Sequence, residues 1–187
     1  MKKTLVLAAD FINDITNIKG ALGSIYGDGV ASAGTIKNAN KLINWARKNG
    51  IKIAHVKVGF SEKYQECLPT HPAAQNGILK LGTWGTEFHP DLDVQPNDHI
   101  VIKHRISALY GSNLEPYLRA NRIEHVIVCG VATDLVVEST VRELGDRDYK
   151  VTVISDACNT SSDQKQAASL NAMTRFATIQ TINEFLA

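Results

Sequence analysis

Two charged residues close short apolar runs in this sequence. Asp10 ends TLVLAAD and Lys103 closes HIVIK. A third apolar run, EHVIVCG, leads into the stretch GVATDLVV at residues 130–137. A carboxylate can exchange protons with a substrate, and a lysine can hold a developing anion. A sharp turn from strand into helix adds backbone N–H groups at a positive dipole end. The residues at that turn, Leu135, Val136 and Val137, are nevertheless apolar. A valine has no lone pair and no proton to give, so position 136 cannot carry nucleophilic catalysis. Thr133 is expected to cap the helix or bind backbone at the turn. Cys129, within the strand, is expected to be a buried small hydrophobe, and Cys158 to be structural. There is no CxxC pair, HExxH or Walker loop, and so no strong metal or nucleotide signal.

The composition narrows the class. The 187 residues suit one domain, 1–187, with a sizeable core. Apolar content is 44%, charged content 21% and net charge +1, which excludes a broad electrostatic footprint for nucleic acid or an anionic membrane. No apolar run reaches the ~20 residues of a membrane span. The opening MKKTLVLAADFIND is too short in its apolar part, and too soon broken by Asp10 and Asp14, to read as a leader; a first strand is expected. Three widely spaced cysteines imply a reducing, cytoplasmic setting.

Strands and helices alternate along the chain. Strands are expected at 4–10, 51–58, 99–104, 124–130, 150–155 and, briefly, at TIQTI. GDGVASAG reads as a loop, with Ser32 or Thr35 capping a helix whose apolar face is Ile36, Ala39, Ile43 and Ala46. NLEPYLRANR and residues 134–145 read as helices, and SSDQKQAASLNAMTRFA as the last one, opened by a serine cap. Residues 59–97 are long, polar and rich in Gly and Pro, the kind of segment that more often serves function than not. This alternation implies an α/β fold: a doubly wound, mostly parallel six-stranded sheet in three layers, with helices on both faces. Such sheets bind ligands beyond the carboxyl ends of their strands, which is where Asp10, Lys103 and the GVATD turn fall.

Three segments, LVLAADFINDI with its D-x-x-N-D pattern, VIKHRISALYGSNLEPYLR, and VIVCGVATDLVVESTVRELGDRDYKVTVISDAC, resemble the isochorismatase-like hydrolases over nearly the whole chain. Many members use an Asp–Lys–Cys triad. The resemblance makes Asp10 the carboxylate, Lys103 the cation and Val136 the cysteine position. It implies a cis peptide at Val131–Ala132, with the Ala132 and Val136 amides forming an oxyanion hole. It implies that Trp84 walls the pocket, Tyr110 faces it, Arg105 meets a substrate carboxylate, and Leu135 to Val137 make an apolar floor. Nicotinamidases of the family bind a metal through an aspartate and two histidines after the second strand. Here that region holds His71 but no D-x-H pattern, so no metal or cofactor is expected, and a lone loop histidine is expected to be exposed or structural. A homo-oligomer, most simply a dimer, is implied. Members with an Asp–Lys pair and no cysteine hydrolyse vinyl ethers through acid catalysis. The resemblance therefore implies a thiol-free hydrolase of a small molecule. The alternatives are an amide or ureide hydrolase using an activated water, and a catalytically silent binding protein.

Overall fold

In the computed structural model, which describes residues 3–187, six strands form one all-parallel sheet in the order β3-β2-β1-β4-β5-β6. The strands are β1 (Thr4–Ala9), β2 (Lys52–Val58), β3 (His99–Lys103), β4 (His125–Val131), β5 (Lys150–Asn159) and β6 (Thr178–Gln180). Every residue of β1 is buried, as expected of a central strand covered on both faces, and this explains its unbroken apolar run. The strand order reverses between β1 and β4. A crevice must therefore open beyond their carboxyl ends, between Asp10 and Ala132. The two strands approach closely at Gly130, where any Cβ would lie 2.5 Å from the Ala9 carbonyl oxygen. Beyond Val128 the pairing of β4 with β5 slips through a bulge, and this re-aims the end of β4.

The described residues form eight α-helices: α1 (Asn13–Thr16), α2 (Gly23–Ser32), α3 (Thr35–Lys48), α4 (Pro72–Asn76), α5 (Leu114–Ala120), α6 (Glu138–Gly145), α7 (Asp163–Met173) and α8 (Ile182–Leu186). The expected face of α3 is buried, with Ala39, Ile43 and Ala46 at 0% exposure. Each such aliphatic side chain as Ile43 contributes roughly 1.5–3 kcal/mol by leaving water. Arg47, in the last turn of α3, meets the negative helix end and clamps Asp98 through both guanidinium Nη atoms at 2.9 and 2.7 Å. Ser162 caps α7 by accepting from the Lys165 amide, as the sequence suggested.

Four expectations about elements fail, each for a local reason. Residues 27–32, read as loop, belong to α2, whose glycines let it lie against the chain at Ile18. A Cβ on Gly27 would sit 2.9 Å from the Ile18 Cα. Close backbone packing overrides the poor intrinsic propensity. Neither Ser32 nor Thr35 caps α3; the cap is Gly34, in the left-handed region at φ 65°. TIQTI divides into β6 and a Thr181–Glu184 capping box that opens α8, so α7 is not the last helix. β5 runs on to Asn159, four residues further than its apolar stretch, because its end pairs with the bulged end of β4.

Candidate active site

Asp10 leaves β1 in the left-handed region at φ 58°, a conformation that aspartate tolerates better than most residues. Its amide donates to the Val56 carbonyl, which turns the carboxyl group across the end of β2. There Oδ1 accepts from the Val58 amide at 2.9 Å, and Oδ2 meets Lys103 Nζ at 2.8 Å. Lys103 also donates to the Arg105 carbonyl at 2.9 Å. Two of the three ammonium protons are thereby committed, and the third remains for another acceptor. Both side chains are buried. Burial raises the Asp10 carboxyl above the usual carboxylate range, outweighing the opposing pull of Lys103 and of the Val58 hydrogen bond. The carboxyl group therefore exchanges its proton closer to neutrality than an ordinary aspartate.

Facing this pair is the end of β4. The Val131–Ala132 peptide is cis, and Thr133–Val137 form one π-helical turn before α6 begins. The Leu135 and Val137 amides both donate to the Ala132 carbonyl. Ser169 of α7 donates to the Thr133 carbonyl, and Asp134 accepts from Thr160. On the other side, the Ala108 amide donates to Thr140 Oγ1 at 3.0 Å, tying the lysine segment to α6. Asp10, Lys103, Ala132, Val136 and Leu135 line one pocket of about 190 Å³, room for a small molecule with a few waters. Val136 thus stands across an apolar cavity from a buried ion pair. Cys129 and Cys158 lie outside this lining. Burial pushes the Cys129 thiol well up and the Cys158 thiol up to about 12, so neither is a ready thiolate.

A family model described as the isochorismatase domain matches residues 4–184. The chain belongs to the isochorismatase family. It is 34% identical over 157 residues to YwoC of Bacillus subtilis, an isochorismatase family protein, covering 83% of each chain. It is 28% identical to the ureidoacrylate amidohydrolase RutB of Rhizobium rhizogenes, covering 99% of this chain and 82% of that one. The crystal structure of N-carbamoylsarcosine amidase from Thermoplasma acidophilum superposes with a TM-score of 0.79 at 25% identity, covering 97% and 98% of the two chains.

Within this isochorismatase-family site, several expected residues stand elsewhere. Trp84 does not line the pocket. Its carbonyl is held by Asn13 Nδ2, and its ring is half-exposed along a separate groove beside α3. Tyr110 is 65% exposed and also lies outside the lining, because the lysine segment turns away at Gly111. Val137 is wholly buried in the core, so the apolar floor consists of Leu135 and Val136. The Thr133 hydroxyl is buried with no partner and caps nothing; the helical turn starts from Ala132. Arg105 does line the pocket, with Nη1 donating to the Glu66 and His104 carbonyls.

The long segment does contribute to the pocket, as expected, but through residues other than Trp84. Phe60, His71 and Leu79 line the pocket, as does His104 from the lysine segment. The D-x-x-N-D pattern explains how residues 59–97 are brought there. Asp14, four residues after Asp10, accepts from the Leu79 amide at 2.9 Å and from the Ala21 amide at 3.3 Å. Gly85 packs so closely on Asp14 that a Cβ would lie 2.3 Å from its carboxylate. One residue of the pattern faces the chemistry and the other two fasten the wall. Among the described residues no group of His, Cys, Asp and Glu side chains converges as a metal would require.

Proposed function

We propose that this isochorismatase-family chain hydrolyses a C–N bond in a small amide or ureide, using a water molecule in place of a thiol. The observation that carries the reading is the buried Asp10–Lys103 pair, 2.8 Å apart, set across an apolar pocket from Val136. Asp10 takes a proton from water as the oxygen attacks the carbonyl carbon. Lys103 and the Ala132 and Val136 amides, at the positive end of the turn, face the oxyanion that forms. The C–N bond then breaks, and the proton passes from Asp10 to the leaving nitrogen. The products are an acid and an amine or ammonia. The similarity to a ureidoacrylate amidohydrolase and to an N-carbamoylsarcosine amidase supports this substrate class.

A second reading is favoured by the raised Asp10 carboxyl, which suits an acid that protonates a vinyl ether of the isochorismate type. The pH dependence of kcat/KM on a panel of ureides, amides and vinyl ethers distinguishes the two. A base must be ionised, so amide or ureide hydrolysis should fall as pH drops through the raised Asp10 pKa. An acid must hold its proton, so vinyl-ether hydrolysis should fall as pH rises through it. No turnover of any panel member, with Asp10→Asn indistinguishable from the parent, would overturn both readings and leave a binding protein.

A further inference from the structure

The two histidines in the pocket are held by backbone in opposite tautomers. His71 Nδ1 accepts from the Ala73 amide at 3.1 Å, at the start of α4. A backbone N–H can only donate, so in neutral His71 the proton sits on Nε2. His104 Nδ1 faces the Gly59 carbonyl at 2.6 Å. A carbonyl can only accept, so the proton sits on Nδ1 and His104 Nε2 keeps its lone pair. Neither Nε2 has a hydrogen-bond partner among the described residues, while both side chains line the pocket. The rings lie against one fixed support, Phe60, with centroid separations of 5.3 Å for His71 and 6.0 Å for His104. Phe60 is itself clamped, donating to the Leu79 carbonyl and accepting from the Leu81 amide.

The pocket lining therefore offers a donor from the exposed His71 and an acceptor from the partly buried His104, both rings packed on one apolar ring. We propose that His71 and His104 are specificity-determining residues that read a terminal carbamoyl group, –CO–NH2. This deepens the ureide reading above and rests on it. His71 Nε2–H joins the donors to the carbamoyl oxygen named above, and His104 Nε2 accepts from the carbamoyl nitrogen. A carboxylate in the same place satisfies His71 but sets its negative oxygen against the lone pair of His104. The pair thus admits the carbamoyl substrate and rejects an acid of the same shape.

Two substitutions delete each Nε2 while keeping its backbone anchor. In His71→Asn, Oδ1 replaces Nδ1 as the cap of α4, a position asparagine fills well. In His104→Asn, Nδ2 replaces Nδ1 as the donor to Gly59. The probes are N-carbamoylglycine and its N′,N′-dimethyl counterpart, which keeps the carbonyl and lacks the terminal N–H groups. Dissociation constants come from ligand-observed NMR on the full chain. The wild-type protein should bind the first probe about tenfold more tightly than the second, the scale of one net hydrogen bond. His71→Asn should weaken both probes by a similar factor. His104→Asn should weaken only N-carbamoylglycine and so abolish the preference. An equal effect of His104→Asn on both probes, or none on either, would overturn the proposal, as would no saturable binding of N-carbamoylglycine to the wild-type protein. Binding with the expected pattern but without hydrolysis would count against the reaction and leave the carbamoyl reader standing.

Discussion

The Asp10–Lys103 pair should be costly to break and cheap to remove whole. At 2.8 Å the two charges attract by about 6 kcal/mol at an effective dielectric constant of about 20. Each has also lost its hydration, a penalty of several kcal/mol per ion. The raised Asp10 carboxyl shows burial winning on its side of the pair. Lys103→Met leaves a carboxyl without its counter-charge, and Asp10→Asn leaves an ammonium with neutral acceptors only, the Arg105 carbonyl among them. Each should lose about 3–5 kcal/mol of stability at neutral pH. The double substitution removes both charges and leaves only uncharged groups, the new amide NH2 and the Arg105 carbonyl, without their former partners, so it should lie within about 2 kcal/mol of the parent. Urea denaturation of all four proteins at pH 7 measures the cycle. The Lys103→Met protein carries a further signature. With the folded pKa of Asp10 raised above its unfolded value, ionisation opposes folding, so stability should be highest below the unfolded pKa and fall as pH rises through the folded one. A double variant as unstable as the two singles added together would refute the argument, because the two charges would then not be coupled.

The remaining predictions concern the thiols, the wall and assembly. Iodoacetamide should leave activity intact while Asp10→Asn removes most of it; loss on alkylation with activity surviving Asp10→Asn would make Cys129 or Cys158 the nucleophile. Val136→Cys should place a thiol at the positive end of the turn near Lys103 and give it a lowered pKa, read as faster reaction with a disulfide reagent at neutral pH than any native cysteine shows. Gly85→Ala should lower stability by about 1–3 kcal/mol, because the added methyl meets an Asp14 carboxylate already bound to two backbone amides; an unchanged melting temperature would contradict this. We propose that the chain is a homo-oligomer, on the strength of half-exposed or more exposed Ile18, Ile25, Ile106 and Tyr110, and light scattering at micromolar concentration should give more than the mass of one chain.

What could be read from the sequence divides along a physical line. Asp10 and Lys103 could be placed because parallel strands carry their own address, since a residue at the carboxyl end of an apolar run must lie at one edge of the sheet, whereas Val136 was marked by the family resemblance. Trp84 and Tyr110 were misplaced because loop residues have no such address. The peptide at Trp84 turns inward to meet Asn13 and Asp14, and its ring is left to a different groove. His71, expected to be exposed or structural, is exposed and caps α4, but its place in the pocket lining had no signal in the sequence. Its position depends on capping a five-residue helix that is itself held by contacts distant in sequence. The helix over residues 23–32 was hidden by three glycines whose use is tertiary, since they admit the backbone at residues 17 and 18 and the side chain of Asn159.

The apolar turn now has a physical use beyond lacking a thiol. Burial raises the Asp10 carboxyl above its ordinary value, and Val136 and Leu135 add no polar group to the pocket it shares with them. On the reading proposed above, the attacking water is held by Asp10 and the third proton of Lys103, and the other polar side chains of the pocket wall, Tyr26, His71, His104 and Arg105, are left to the substrate. The same short pattern that supplies Asp10 also supplies Asn13 and Asp14, which fasten that wall. A substitution that loosens Asp14 should accordingly disturb substrate selection before it disturbs proton transfer, raising KM through His71 and Phe60 while Asp10 and Lys103, anchored on β1 and β3, stay in place.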